Sequence, residues 1–339
     1  MGSIRWYIVS NFFRTFLTLF IPLFFIISLV YVVKIASLTT KIEIDFSELL
    51  QMFSYFIPTI LFYTLPISFI AATSSMFFRL SSDNELVALF SLGIKSSYIV
   101  RIISYIAVVL SALLLFLSLA IMPQSKHLFN QFKSNKLKEA RLNIIPNQLG
   151  QKFGTFYIHL KEKNDNDLKD IVVYNRDDKG NNQIFIASQG KIKDEEGLFS
   201  LELYNGKGYT YDQATFKEIS YDKMSIFDSV EFDQMSFKNS MLYWSNAQDD
   251  EGIRQRLFFT IFMSLIPIAS LYIVVAFSII NARYQSNRSF LVIASVSIIF
   301  YLVAIIIKEE GNILIFGAAV LGSIVASFAL FRRRIGNFY

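Results

Sequence analysis

The chain has 339 residues and not one cysteine. Disulfides and thiolate metal sites are therefore excluded, and any part exported to an oxidising compartment must hold together by its own core. Histidine is nearly absent. His127 and His159 are the only two, they lie far apart, and neither has a suitably spaced partner. A zinc site or a histidine-dependent triad thus lacks its parts, and no metal, cofactor or catalytic residue is nominated. Charge is scarce as well, at 17% of residues, where a soluble chain carries about a quarter. No G-x-x-x-x-G-K-[ST] loop occurs; Gly206-Lys207-Gly208 is the nearest approach and lacks both the upstream glycine and the hydroxyl residue. The chain does not bind ATP through such a loop, so an energy source must come from elsewhere. No basic run with interleaved aromatics points to nucleic acid.

What remains is apolar. Hydrophobic residues make up 53% of the chain and the mean hydropathy is +0.44, which places it in the membrane class. A hydrocarbon core about 30 Å thick needs about 20 apolar residues in a helix. Six runs qualify, roughly Phe12–Leu38, Leu49–Phe78, Tyr98–Met122, Leu257–Ile280, Phe290–Ile307 and Ile313–Phe331. The first is too long for a signal peptide, and no small-residue cleavage site follows it. Pro22, Pro58, Pro66 and Pro267 fall inside these runs, which membrane helices tolerate when neighbours satisfy the freed carbonyls.

The short loops divide by charge. Arg5, Arg14, Arg79, Lys95, Arg101, Arg283, Arg288 and Arg332-Arg333-Arg334 all fall on one side. The other side holds Lys41 and Lys308, offset by Glu43, Asp45, Glu48, Glu309 and Glu310. The positive-inside rule then puts both termini in the cytoplasm and the insert outside; Arg254 and Arg256 run against the trend but flank a long translocated segment, where the rule is weak.

Between the two triplets of spans lies a polar block of about 130 residues, 123–252. Its first part, Gln124 to Leu142, is helix-compatible and carries the third span's helix onward. Short alternating stretches follow at 155–160, 170–175, 183–188, 198–204, 207–211 and 215–221. Asp177-Asp178-Lys179-Gly180-Asn181-Asn182 and Asn205-Gly206 supply turn chemistry between them. The pattern predicts a sandwich, roll or open barrel. Asp194-Glu195-Glu196-Gly197 reads as a solvated turn, since calcium-ligand spacing is absent.

The loop between the second and third spans is the other informative segment. Ser82 and Glu85 form an S-x-x-E pattern, which predicts a capping box at the start of a helix over about 82–93. Leu86, Leu89 and Phe90 recur at helical spacing and Gly93 is a natural stop. Such a short amphipathic helix serves equally as an interfacial helix or as a docking element for a cytoplasmic partner.

Together these pieces resemble a known family. Ile4-Arg5-Trp6-Tyr7, Lys34-Ile35, Leu65-Pro66-Ile67-Ser68 and Leu80-Ser81-Ser82-Asp83-Asn84-Glu85-Leu86 with its Gly93 ending carry the likeness in the spans. Phe156-Tyr157-Ile158, Ile186-Ala187-Ser188-Gln189-Gly190 and Leu203-Tyr204-Asn205-Gly206 carry it in the insert. The chain resembles the permeases of the lipopolysaccharide export system, the LptF/LptG type, and is closer to the LptF branch. It departs at Asn281-Ala282-Arg283 and at Gly311-Asn312-Ile313, where that family usually has prolines.

The resemblance implies six transmembrane helices plus an inserted periplasmic all-β, jellyroll-like domain, in a multi-pass protein of the bacterial inner membrane. It divides the chain into residues 1–122, 123–252 and 253–339. It implies no enzyme activity in this chain, but a permease that extracts lipopolysaccharide and passes it toward the outer membrane. The implied partners are a separate cytoplasmic ATPase dimer, a second permease of the same family, a periplasmic bridge protein and a single-span periplasmic protein. Ser82, Glu85, Leu86, Leu89 and Phe90 would couple to the ATPase. Lys34, within the first apolar run, and Lys41 would meet lipopolysaccharide phosphates, although Lys34 lies near enough to the interface to snorkel and Lys41 reads equally as a solvated loop lysine. Two rival plans share part of this layout: a force-transmitting membrane protein of the ABC class, and a membrane sensor with an outer ligand-binding domain.

Overall fold

The computed structural model describes residues 2–39, 44–142, 145–148, 151–153, 156–164, 167–176, 182–195, 198–211, 216–228, 240–248, 250–280 and 289–336. The chain divides into a helical unit, with Met1–Thr39, Ile44–Phe129 and Phe237–Tyr339, and a second unit built chiefly from Asn130–Ser236.

Six helices of the described residues are long and apolar enough to cross a membrane, and five of them begin before their apolar runs do. Helix α1 is Gly2–Thr39 and α2 is Phe46–Ser82. A short α3, Glu85–Ser91, precedes α4, Ser96–Phe116. The third span then passes through a π-helical stretch, Leu117–Ile121, into α5, Met122–Leu142, so the polar segment after the apolar run does prolong that helix. A short α6, Ser240–Ser245, leads to α7, Glu251–Ser278, followed by α8, Ser289–Glu310, and α9, Ile313–Phe331.

Two helices form the heart of this unit. Both α2 and α7 bury most of their middle turns, and hydroxyls line the surfaces that meet. Ser278 donates to Ser74 at 3.0 Å and the Ile280 amide donates to Ser81 Oγ at 3.3 Å, while Ser264 of α7 pairs with Ser118 of the third span at 3.2 Å. Small hydroxyl residues let membrane helices approach closely and bond across the contact. The π-helical stretch loosens the carbonyls of Leu119 and Ala120 from the regular ladder. Trp244 Nε1 and Ser240 Oγ in α6 donate to them at 2.8 and 2.6 Å.

Two loop expectations are revised. Ser82 does not cap a new helix: α2 runs through Ser82, and Asn84, in the left-handed region at φ 59°, precedes α3 without a side-chain cap bond. The Glu85 carboxylate is engaged elsewhere, so the S-x-x-E pattern is not a capping box here. At the start of α2 the Glu48 carboxylate accepts from the Asp45 amide at 3.1 Å, a reciprocal cap of the kind expected one loop later. At Gly311-Asn312, where the family's proline is missing, Gly311 takes φ +60° and Asn312 Oδ1 accepts from the Leu314 amide at 2.8 Å. A glycine turn and an asparagine cap thus start α9. The departure at 281–283 lies outside the described residues.

The second unit is an all-β insert. Its strands β1 (Gln151–Phe153), β2 (Phe156–Asn164), β3 (Asp167–Arg176), β4 (Asn182–Glu195), β5 (Leu198–Tyr211) and β6 (Phe216–Asp228) form one antiparallel sheet in the order β1-β2-β3-β4-β5-β6. Among the described strands it is a continuous meander, each strand beside its sequence neighbour, with no Greek-key crossing. The stretches 198–204 and 207–211 belong to one strand, so Asn205-Gly206 is not a turn between two. The expected turn at 177–181 and the end of the acidic cluster, Glu196-Gly197, lie outside the described residues.

Asn205 sits instead on a crease. Apolar and glycine positions on the core side step by two along β3 to β6 except once, where they step by three: Leu168 to Ile171, Ala187 to Gly190, Leu203 to Gly206, and Tyr221 to Met224. These steps lie side by side, since Ile171, Ala187, Gly206 and Tyr221 pair across the sheet, as do Leu168, Gly190, Leu203 and Met224. Between them, ladder pairing skips the row Lys161, Asp170, Ser188, Asn205 and Asp222. Asp170 and Asn205 in that row have φ 49° and 50°. Side chains alternate faces with period two, so one extra residue in each strand keeps both halves' apolar residues facing one core. That core joins Ile158, Leu160, Ile171 and Val173 from one half to Leu168, Ile192, Leu201 and Ile226 from the other. Gly206 is required here: an added Cβ would lie 2.4 Å from the Ile186 carbonyl oxygen and 2.4 Å from Tyr221 Oη.

Candidate functional site

The loop between α2 and α4 is built as a short helix with one face anchored and one face open. Its end has the form expected from Gly93. That residue takes φ +80°, its amide donates to Phe90 O at 2.9 Å, and the Ile94 amide reaches Leu89 O at 3.2 Å. Paired bonds of this kind satisfy the last carbonyls of a helix of only seven residues. Leu86 is buried at 2% exposure, and Leu89, Phe90 and Ile94 pack against the same helical core. The expected apolar stripe therefore exists, but it faces the chain's own bundle. The open face carries Val87 at 59% and Leu92 at 76% exposure, with Ala88 and Ser91 between them. Sequence periodicity missed that second stripe because it gave one helix a single apolar side.

Glu85 opens this helix, half-buried rather than free. Its carboxylate accepts a short hydrogen bond from the Tyr7 hydroxyl of α1. Two further contacts tie the same end of α1. Arg79 Nη2 donates to Asn11 Oδ1 at 2.7 Å, and Arg5 Nε donates to Tyr98 Oη at 3.0 Å with the guanidinium 5.9 Å from that ring's centroid. The first turns of α1, the end of α2, α3 and the start of α4 thus form one polar cluster. Ser82 is exposed at the end of α2. Tyr7 and Asn11 lie within the quoted sequence or just past it, yet nothing local marks them as partners of residues 78 and 68 positions away.

A different setting holds Lys34, 27 residues further along α1 than Tyr7, which is about 40 Å in a helix rising 1.5 Å per residue. Its ammonium lies 5.9 Å from the Tyr31 ring centroid and 5.7 Å from that of Phe56 on α2. Those two rings are 4.9 Å apart, and Phe56 meets Phe129 at 4.7 Å. Cations over aromatic faces at this distance are attracted by the ring quadrupole. The side chain is exposed, and no carboxylate among the described residues pairs with it. Lys41 lies outside the described residues, as do Glu43, Arg283 and Arg288. Among the described residues no group of three or more His, Asp or Glu is arranged to hold a metal ion.

A family model described as lipopolysaccharide export system permease LptF/LptG matches residues 6–333. The chain belongs to the LptF/LptG family. The match runs from the first turns of α1 to the end of α9 and so includes all six long helices and the β insert; it spans LptF and LptG alike. No curated protein matches the chain. As a member of the LptF/LptG family it is a transport permease of the lipopolysaccharide export system, not an enzyme, and a multi-pass protein of the inner membrane.

Proposed function

We propose that this chain is a permease subunit of an ABC-type transporter that takes lipopolysaccharide from the inner membrane and passes it, through its β insert, to a periplasmic bridge. A separate cytoplasmic ATPase dimer binds at α3, a second permease of the same family completes the lipid cavity, and a single-span periplasmic protein joins the path to the bridge. Both termini lie in the cytoplasm and the insert lies in the periplasm. The orientation rests on the basic residues Arg5, Arg14, Arg79, Lys95 and Arg101, which sit at the α3 end of their helices.

The observation that carries the reading is the open face of α3. A seven-residue helix is too short to persist alone, yet this one is anchored by Leu86, Leu89 and Phe90 and presents Val87, Ala88 and Leu92 beside the Glu85 carboxylate. Exposed apolar side chains next to a fixed charge are what a partner groove recognises. Docking thus uses Glu85 with Val87, Ala88 and Leu92, while Leu86, Leu89 and Phe90 hold the helix in place and Ser82 lies at its approach. At the opposite end of α1, Lys34 offers a point charge to a lipid phosphate above the Tyr31 and Phe56 rings.

The test is ATP-driven release of lipopolysaccharide from vesicles holding this chain with its second permease and ATPase. Glu85→Ala is expected to lower ATPase co-purification and release together while the permease stays folded. Full association and full release in Glu85→Ala would remove the docking role.

A further inference from the structure

Helix α1 is gripped at one end and more sparsely packed toward the other. In its first half Ile8, Phe12 and Phe16 are buried, the Phe12 and Phe16 rings stack at 5.8 Å, and Phe12 meets Phe69 of α2 at 5.7 Å. Past Phe20 the helix presents Phe25, Ile26, Leu29, Val30, Val32 and Val33 outward, and among the described residues only Ser28 and Ile35 are buried. The helix runs on through Pro22 without a break. It is therefore a continuous rod, closely packed near Tyr7 and meeting α2 near Lys34 through the Tyr31 ring on Phe56.

Three polar ties hold the fixed end, and they reach different elements. Asn11 binds Arg79 of α2 and Arg5 binds Tyr98 of α4, both on long helices of the bundle. Among the described residues, the Tyr7 hydroxyl on Glu85 is the hydrogen bond that joins α1 to α3 itself. A shift of α3 therefore reaches α1 through that bond, beside the packing of Leu86, Leu89 and Phe90 on the bundle.

We propose that Tyr7 is a positioning residue that makes α1 a lever: a shift of α3 on ATPase docking or closure moves Glu85, Glu85 draws Tyr7, and the far end of α1 bearing Lys34 shifts against Phe56 of α2 with it. This rests on the reading of α3 as the docking helix. A bond between a hydroxyl and a carboxylate is directional and stronger than a neutral pair, which suits a link that must pull as well as push.

Because the chain has no cysteine, Val33→Cys gives a single labelling site beside Lys34. A spin label there, in the assembled transporter in lipid nanodiscs, is expected to change its spectrum when the ATPase is trapped with ATP and vanadate. Tyr7→Phe keeps the ring but removes the hydroxyl. It is expected to shrink that change about tenfold, with an equal fall in lipopolysaccharide released per ATP, the loss of one charge-assisted hydrogen bond. Tyr98→Phe frees Arg5 from α4 and leaves the Tyr7–Glu85 bond; it is expected to keep the spectral change. A full response in Tyr7→Phe, equal losses in both variants, or no response in the parent overturns the lever. A parent complex that binds no ATPase and releases no lipopolysaccharide overturns the transport reading instead.

Discussion

Which face of α3 meets its partner is decided by two leucines six residues apart. Leu92 is 76% exposed and Leu86 is 2% exposed. Fully burying a leucine is worth about 1.5–3 kcal/mol. Covering the exposed three quarters of Leu92 is then worth about 1–2 kcal/mol, or about 5- to 30-fold in affinity. Leu86 has nothing left to bury on docking, but truncating it opens a hole in the bundle that costs about 2–5 kcal/mol of stability. The two alanine variants should therefore separate cleanly. Leu92→Ala is expected to weaken ATPase binding by about 5- to 30-fold with the permease melting temperature unchanged. Leu86→Ala is expected to lower the melting temperature, with binding reduced only as far as folding is. Titration of the detergent-solubilised permease with ATPase, beside thermal unfolding of each variant, reads both quantities. Intact binding in Leu92→Ala, with weakened binding and unchanged melting in Leu86→Ala, would reverse the assignment of faces and refute the argument.

Three further outcomes are expected. Gly206→Ala sets a methyl against the Ile186 carbonyl oxygen, a backbone atom that cannot swing aside. The β unit should lose about 3 kcal/mol and melt roughly 10–20 °C lower, whereas Gly317→Ala, with nothing within 4 Å of its Cβ, should leave melting nearly unchanged; equal melting of the two variants would discredit the crease. Glu202 is held down to about pKa 2, first by the Tyr204 hydroxyl and then by Lys223 and Lys193, whose ammoniums each lie 3.0 Å away. Its contribution to stability is present above about pH 4.5, its unperturbed value, and fades as pH falls toward about 2. The gap in unfolding temperature between the parent and Glu202→Gln should thus be constant near neutrality and close in acid, and a gap that widens in acid would contradict the ion-pair account. Lys34→Ala is expected to lower retained lipopolysaccharide about fivefold, the worth of one lysine near an anionic surface; a photoreactive residue at position 34 that captures only phospholipid would leave snorkelling as its role.

The membrane plan was legible because a span must be long, apolar and helical, and composition alone reports that. The ends of the helices were less legible, since α1 begins at Gly2 and the third span's helix continues to Leu142, through residues whose polarity suits helix outside lipid. Ser82 misled for a local reason. The S-x-x-E pattern is satisfied on paper, but α2 overruns the point where its apolar residues stop, and Glu85 takes a partner from another helix. Asn205-Gly206 misled for a related one. Left-handed backbone and a missing Cβ are what turns need, and a crease within a strand needs them too. At α3 the period was read correctly and the neighbour was not: Leu86, Leu89 and Phe90 share a face, but only packing tells whether that face meets the chain itself or something else. Tyr7 had no signal at all, because a contact spanning 78 positions leaves no trace in spacing.

The creased row has a consequence for how this sheet can change. A single strand with one extra residue is an ordinary bulge, absorbed by local bending. Here a skipped residue recurs at Lys161, Asp170, Ser188, Asn205 and Asp222, shoulder to shoulder, and four of those five strands carry the phase slip. No strand can lose its member alone: deleting Asn205 would turn Leu201 and Leu203 toward water while Leu168, Ile192 and Ile226 stayed inside. An insertion or deletion that keeps this core must therefore spare the row or shift every strand together.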